Sequence, residues 1–129
     1  MIIERFYPAI ADTDGLRHMN NLSIQYWLEK ARNPIFKICN PSLLFENWNQ
    51  IMVRSEVDFL SQIFYGKECE MKTGVSKLGR SSMHIYQELY QEGRLCARST
   101  VVTVFFDYQA QKSMEIPSEV RTELKKLLV

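Results

Sequence analysis

A change of hydrophobic period partway along the chain restricts the folds open to it more than any other feature. Ile24, Trp27, Leu28, Ala31, Ile35 and Ile38 recur at three- and four-residue intervals, the repeat of one buried helical face. From Val53 onward the repeat shortens to two. Val53, Val57 and Phe59 alternate with Arg54, Glu56 and Asp58, which predicts a half-buried strand. Cys69, Met71, Thr73 and Val75 alternate with Glu68, Glu70 and Lys72 in the same way. Met83, Ile85 and Leu89 then share one face of a third strand, opposite His84, Tyr86, Glu88 and Tyr90. Gln91-Glu92-Gly93-Arg94 suits a hairpin turn into a fourth strand, Leu95 to Asp107. That strand is apolar on both faces from Val101 to Phe106 and should lie centrally. One long helix followed by four meandering antiparallel strands predicts an α+β fold in which the sheet wraps around the helix.

The ends and joints carry their own signals. Ile2 to Pro8 reads as a short edge strand, with Pro8 limiting its pairing. Asn20 or Asn21 is a suitable N-cap for the helix. Pro34 should kink or break the helix near Asn33, unless a new turn starts there with Asn33 as cap and the proline at the first position. Val120, Leu124, Leu127 and Leu128 form the stripe of a short closing helix.

Composition excludes several classes. At 129 residues, one domain spanning 1–129 is expected, with no repeat or linker dividing it. Sixteen basic residues against fifteen acidic ones leave a net charge of +1, which argues against nucleic acid or a membrane surface as partner. No apolar run approaches the ~20 residues of a membrane span. The N-terminus lacks the regions of a signal peptide. Cys39, Cys69 and Cys96 are odd in number and contain no CxxC, as expected of reduced thiols in a cytoplasmic protein. The His, Cys and carboxylate residues show no metal-ligand spacing, so no metal is expected.

The stretch Asp12-Thr13-Asp14-Gly15-Leu16-Arg17-His18-Met19-Asn20-Asn21 carries the chemistry. It sets two carboxylates, an imidazole and a glycine hinge against a helix start, where free N–H groups and the macrodipole favour negative charge. That equipment suits cleavage of an activated acyl bond. A thiol leaving group, with a pKa of roughly 8.5, needs little protonation, so one carboxylate can suffice. Asp14 is the candidate, attacking the carbonyl directly or deprotonating a water; the second route needs burial to raise its pKa. The oxyanion would take hydrogen bonds from backbone N–H groups around Asn20 and Asn21. His18 is a candidate to orient substrate, polarise the carbonyl or shuttle a proton, or else a structural histidine bonded to backbone, Asp14 or Asp12. Asp12 reads as a turn or cap residue. Read only as local structure, the whole stretch is a loop of Asx turns and caps.

Lys77-Leu78-Gly79-Arg80-Ser81-Ser82 joins two predicted strands. It is a polar hairpin turn whose N–H groups, hydroxyls and Arg80 could also hold a phosphate. Glu29 and Arg32 are spaced for an ion pair on the helix surface. Trp27, Phe36 and Trp48 are expected to be core or interface aromatics.

The string Asp12-Thr-Asp14, His18-Met-Asn20-Asn21, followed by Tyr26-Trp27-Leu28-Glu29-Lys30-Ala31-Arg32, resembles the signature of the hot-dog thioesterases. It is most similar to the 4-hydroxybenzoyl-CoA thioesterase group and related short acyl-CoA thioesterases. The order of strands, the Gly79-Arg80-Ser81-Ser82 turn, the Gly93 turn and the closing helix extend the likeness over nearly the whole chain. The resemblance implies a hot-dog fold, an antiparallel sheet wrapped around a long central helix. It also implies homodimers joined edge to edge, or homotetramers built from them, with active sites at the dimer interface. By motif position Asp14 matches the catalytic aspartate, and Asn21 the residue whose backbone N–H polarises the thioester carbonyl. Arg80 falls where related proteins hold coenzyme A phosphates, with a partner subunit as one route to the site. Ser81 and Ser82 are candidates by adjacency. The implied substrate is an acyl-CoA or acyl-carrier-protein thioester, with coenzyme A part of the substrate and no separate cofactor. Pro34 and the sparse basic cluster, Lys77 and Arg80, depart from the family pattern. Glu29 is the fallback carboxylate, since some members carry theirs on the helix.

Two other functions fit the same fold. An enoyl-thioester hydratase needs an Asp and His dyad on a short overhanging segment, and Asp12 or Asp14 with His18 is a near miss in spacing. A non-catalytic acyl-CoA-binding module needs only the pocket, and Asp14 argues against it.

Overall fold

The computed structural model describes residues 1–129. Its longest strand, β5 (Arg94–Asp107), organises the sheet. With β1 (Ile2–Phe6), β2 (Gln50–Phe59), β3 (Cys69–Leu78) and β4 (Ser82–Gln91) the antiparallel order is β1-β3-β4-β5-β2. A two-residue strand, β6 (Lys112–Ser113), pairs with the end of β5. The α+β architecture is the expected one, but the strands do not run as a four-strand meander. Only β3, β4 and β5 follow one another through hairpins. β2 crosses to the far side of β5, in register from Gln50 opposite Phe105 to Phe59 opposite Ala97. Alternation fixes which residues share a face and says nothing about which strand is the neighbour.

That placement also changes the burial of β2. Its expected half-buried face is mostly open at this outer edge: Val53 is 60% exposed and Phe59 48%, while Val57 is partly buried against the core. The register shifts between Met52 and Arg54, so the strand bends there.

The helix forms as two pieces, α1 (Asn21–Ala31) and α2 (Asn33–Cys39), joined by the single residue Arg32. Asn20 caps α1, its Oδ1 accepting the Leu22 N–H at 2.8 Å. Pro34 falls in the first turn of α2, where no N–H is required, with Arg32 rather than Asn33 as the cap residue. Ile24, Leu28, Ala31 and Ile35 are buried as their spacing requires. Each half of the helical pair covers one half of the sheet. Ile24 and Leu28 pack with Met71, Leu89 and Ala97. Ile35 and Cys39 pack with Val75, Ile85, Val101 and Phe105. Each large apolar side chain removed from water contributes roughly 1.5–3 kcal/mol. α3 (Ser118–Lys125) closes the second half by burying Leu124. The C-terminal tail then lies along β3, where a Cβ on Gly74 would meet Val129 Cγ1 at 2.8 Å and Leu127 O at 3.1 Å.

Two buried glutamines on β4 tie loops and helix to the sheet. Gln87 Nε2 donates to Leu28 O at 2.9 Å and to Thr73 Oγ1 at 3.1 Å. Gln91 Oε1 accepts the Phe64 N–H at 2.8 Å, and its Nε2 donates to Phe64 O at 2.8 Å and Lys67 O at 3.0 Å. Gln91 thereby fixes the connection between β2 and β3. No helix is long and apolar enough to cross a membrane.

Candidate active site

The loop before α1 folds back on itself. Thr13 pairs with Met19, the Asp14 N–H donates to His18 O at 3.2 Å, and the Arg17 N–H donates to Asp14 O at 3.1 Å. Asp14 therefore opens a tight turn, and its Oδ1 accepts the Leu16 N–H at 2.8 Å. Oδ2 has no protein partner and remains available. The glycine is not the hinge of this turn. Arg17 takes the left-handed backbone, with φ of 70°, while Gly15 keeps an ordinary φ and open space around its Cα.

Asp12 is the support. Its Oδ2 accepts the Ala9 N–H at 2.7 Å and Trp27 Nε1–H at 2.9 Å, so it is a turn and anchor residue as expected. Its carbonyl accepts the Asn20 N–H at 2.8 Å. That bond narrows the expected oxyanion donors, because the Asn20 N–H is engaged. The Asn21 N–H opens the helix with no protein acceptor, at the positive end of the macrodipole.

Asp14, His18 and Asn21 line one cleft of about 380 Å³. Its opposite wall is Phe59 at the end of β2 and residues 60–63 beyond it. The Met19 N–H donates to Ile63 O at 2.7 Å, and His18 bridges to Phe64 through its backbone. The two walls are thus stitched together, with Gln91 behind the second. The half-buried His18 imidazole bonds neither to Asp12 nor to Asp14, which leaves it facing the cleft. The wall at 59–63 was not anticipated. Alternation puts Phe59 on the apolar face of a half-buried strand, and Ser61-Gln62 carries no signal by residue type.

Arg80, Ser81 and Ser82 stand elsewhere. They form the β3–β4 turn at the opposite end of the sheet, about 30 Å away along the ten residues of β4. Backbone bonds fasten this turn: Ile116 N–H to Arg80 O at 2.9 Å and Phe105 N–H to Ser81 O at 2.8 Å. Arg121 Nη2 donates to Gly79 O at 2.7 Å. The Arg80 guanidinium reaches Glu115 at 3.7 Å and is largely exposed. One chain therefore does not bring these three residues to Asp14.

Arg32 departs furthest from its expected place. Instead of pairing with Glu29 on the surface it is buried, with Nη1 donating to Gln87 Oε1 at 3.1 Å. Desolvation lowers its pKa, and the field of Glu29 only partly opposes this. Glu29 borders a different cavity from the one at Asp14. Trp27 stacks on Phe6 with ring centroids 4.1 Å apart, and Phe36 meets Trp48 edge-on at 5.6 Å. Trp27 and Phe36 pack on the two cores, as expected, while Phe36 and Trp48 also line the cavity beside Glu29 and Arg32.

Residues 8–124 match the model of the thioesterase-like superfamily. No curated protein matches the sequence. Among solved structures, a predicted thioesterase from Bacillus stearothermophilus is 33% identical. The match covers 98% of this chain and 96% of that one, with a TM-score of 0.95. A Thermus thermophilus thioesterase complexed with coenzyme A and Zn is 27% identical over 97% of this chain and 92% of its own, with a TM-score of 0.86. A mutant 4-hydroxybenzoyl-CoA thioesterase complexed with 4-hydroxybenzoyl-CoA shares the fold at 16% identity, covering 95% and 97% of the two chains with a TM-score of 0.81. The curled sheet around the α1–α2 pair is the hot-dog fold that the motif resemblance implied.

Proposed function

The chain belongs to the thioesterase-like superfamily, and from that premise we propose that it is an acyl-CoA thioesterase using Asp14. The reaction adds water to the thioester and yields a free acid and coenzyme A thiol. One observation carries the assignment of residues: the free Oδ2 of Asp14 and the unpartnered N–H of Asn21 border the same cleft.

In this reading the thioester carbonyl points its oxygen at the Asn21 N–H. Charge that develops on that oxygen is met by a fixed donor and the helix dipole, with little reorganisation. Asp14 acts from the other side of the carbonyl carbon, either as nucleophile through a mixed anhydride or as base toward a water. His18, on the same wall, orients the thioester and can pass a proton to the departing sulfur. Water is the only co-reactant, so no cofactor beyond the coenzyme A of the substrate is required.

The coenzyme A role of Arg80, Ser81 and Ser82 requires a second copy of the chain. β2 is an edge strand with exposed Ile51, Met52 and Val53. Such an edge invites pairing. Antiparallel pairing of two β2 edges sets the Gly79–Ser82 end of one copy beside the Asp14 end of the other. Support for a coenzyme A thioester comes from the Thermus thermophilus relative, solved with coenzyme A.

The test is thiol release over short, long and aromatic acyl-CoAs, read with a thiol reagent. Hydrolysis of at least one class is expected. Tight acyl-CoA binding without thiol release would assign the chain to the binding modules, and loss of enoyl absorbance without thiol release to the hydratases.

A further inference from the structure

Arg32 occupies the joint between α1 and α2 with its side chain turned inward, 4% exposed. Nη1 is taken by Gln87, Nε has no partner, and no carboxylate lies within ion-pair distance. A buried guanidinium outside ion-pair distance of any carboxylate is costly, because the field of Glu29, on the wall of the cavity beside it, only partly offsets its desolvation. That cavity, of about 470 Å³, is walled in part by Phe36 and Trp48. Two more unpartnered polar atoms belong to residues lining the same cavity: Gln50 Oε1, in a residue 4% exposed, and Thr103 Oγ1, in one 1% exposed. Buried polar groups are nearly always hydrogen-bonded, so three orphans on residues of one cavity wall call for partners that the protein itself does not supply.

We propose that this cavity is a second binding site, for a small molecule bearing a carboxylate, with Arg32 as its anchor. With Nη1 engaged, the edge of the guanidinium left without a protein partner is the one formed by Nε and Nη2. That edge meets both oxygens of a carboxylate in a fork. The Thr103 hydroxyl supplies a further donor. Gln50 Oε1 is an acceptor and suits a hydroxyl or N–H next to the carboxylate. Phe36 and Trp48 give the body of the ligand an apolar wall.

The carboxylate can come from two sources. One is the far end of the acyl group under hydrolysis, which rests on the thioesterase reading above. Asn21 and Arg32 are eleven residues apart on one helical run, about 16 Å. An extended acyl chain of comparable length spans that distance. The other source is a free carboxylic acid acting separately from the substrate.

The intact protein is titrated with salicylate, a flat carboxylate with an adjacent hydroxyl, by calorimetry and by the Trp48 indole resonance. Saturable binding is expected, weakened about tenfold or more in Arg32→Met and about threefold or more in Thr103→Val, which removes the hydroxyl and keeps the shape. In parallel, kcat/KM is compared for acyl-CoAs ending in a carboxylate and for methyl-ended partners of equal length. A preference for the carboxylate that collapses in Arg32→Met assigns the site to the acyl tail. Salicylate binding without that preference assigns it to a free acid. No binding and no preference, as when water alone meets the three atoms, overturns the proposal, as does binding that neither substitution weakens. Should Arg32→Met not fold, Thr103→Val decides. The titration needs no turnover, so failure of this site and failure of the Asp14 reading are separate results.

Discussion

Trp27 Nε1 donates a hydrogen bond of 2.9 Å to Asp12 Oδ2, and this bond ties α1 to the loop that presents Asp14. The same oxygen accepts the Ala9 N–H, so one carboxylate holds both ends of the turn. Asp12→Ala strands two donors, each a loss of about 1–3 kcal/mol if left unpaired. The variant is expected to unfold at lower denaturant and to lose turnover as the loop loosens. Unchanged stability would show that the anchor is dispensable.

The two candidate carboxylates are separated by the length of α1. Glu29 borders the Arg32 cavity and Asp14 the cleft at the helix start. Glu29→Gln is expected to lower kcat far less than Asp14→Asn, by about tenfold at the least in the comparison. The reverse order would move the catalytic carboxylate onto the helix.

The exposed edge of β2 gives a third prediction. Val53, 60% exposed at the bend of the strand, belongs to neither core cluster. Val53→Lys should leave thermal unfolding of the chain within about 0.5 kcal/mol, since it is a surface change. It should shift sedimentation toward monomer and reduce turnover in parallel. A variant that stays fully assembled would place the contact elsewhere.

Much of this architecture was legible because burial imposes a period. The face Ile24, Leu28, Ala31, Ile35 and the alternation along β3 and β4 follow directly from the sequence, as does the Gln91–Arg94 turn. The position of β2 was not legible, because the same alternation serves an edge strand beside β5 as well as a neighbour of β3. The burial of Arg32 is hidden from the sequence for a related reason. Its spacing from Glu29 suits a surface pair, and the Gln87 side chain that receives it comes from another element. Gln87 and Gln91 fall on the apolar face of β4, and polarity alone hid their role. At the cleft, the residue types of the Asp12–Asn21 stretch pointed to Asp14, His18 and Asn21. The opposite wall at 59–63 is assembled by tertiary bonds to Ile63 and Gln91 that no local pattern announces.

Buried thiols predict a pH profile. Burial pushes both the Cys39 and Cys69 thiols up to about 12, helped at Cys69 by nearby negative groups. In the unfolded chain a thiol ionises near 8.5. Both folded values lie above the unfolded one, so this stability is fully present below roughly pH 8.5 and is lost as pH rises toward about 12. Denaturant midpoints should fall across that alkaline window, with a shallower fall in Cys39→Ala. Equal slopes in the two proteins would remove Cys39 from the effect.

The most direct measurement is steady-state thiol release by wild type and Asp14→Asn on the best acyl-CoA substrate. Asparagine keeps the Oδ1 that accepts the Leu16 N–H, so the turn survives while the charged oxygen is lost. A fall in kcat of about 10²–10⁴-fold is expected, with unfolding unchanged. Turnover within a few-fold of wild type, in a variant that folds and assembles normally, would contradict it.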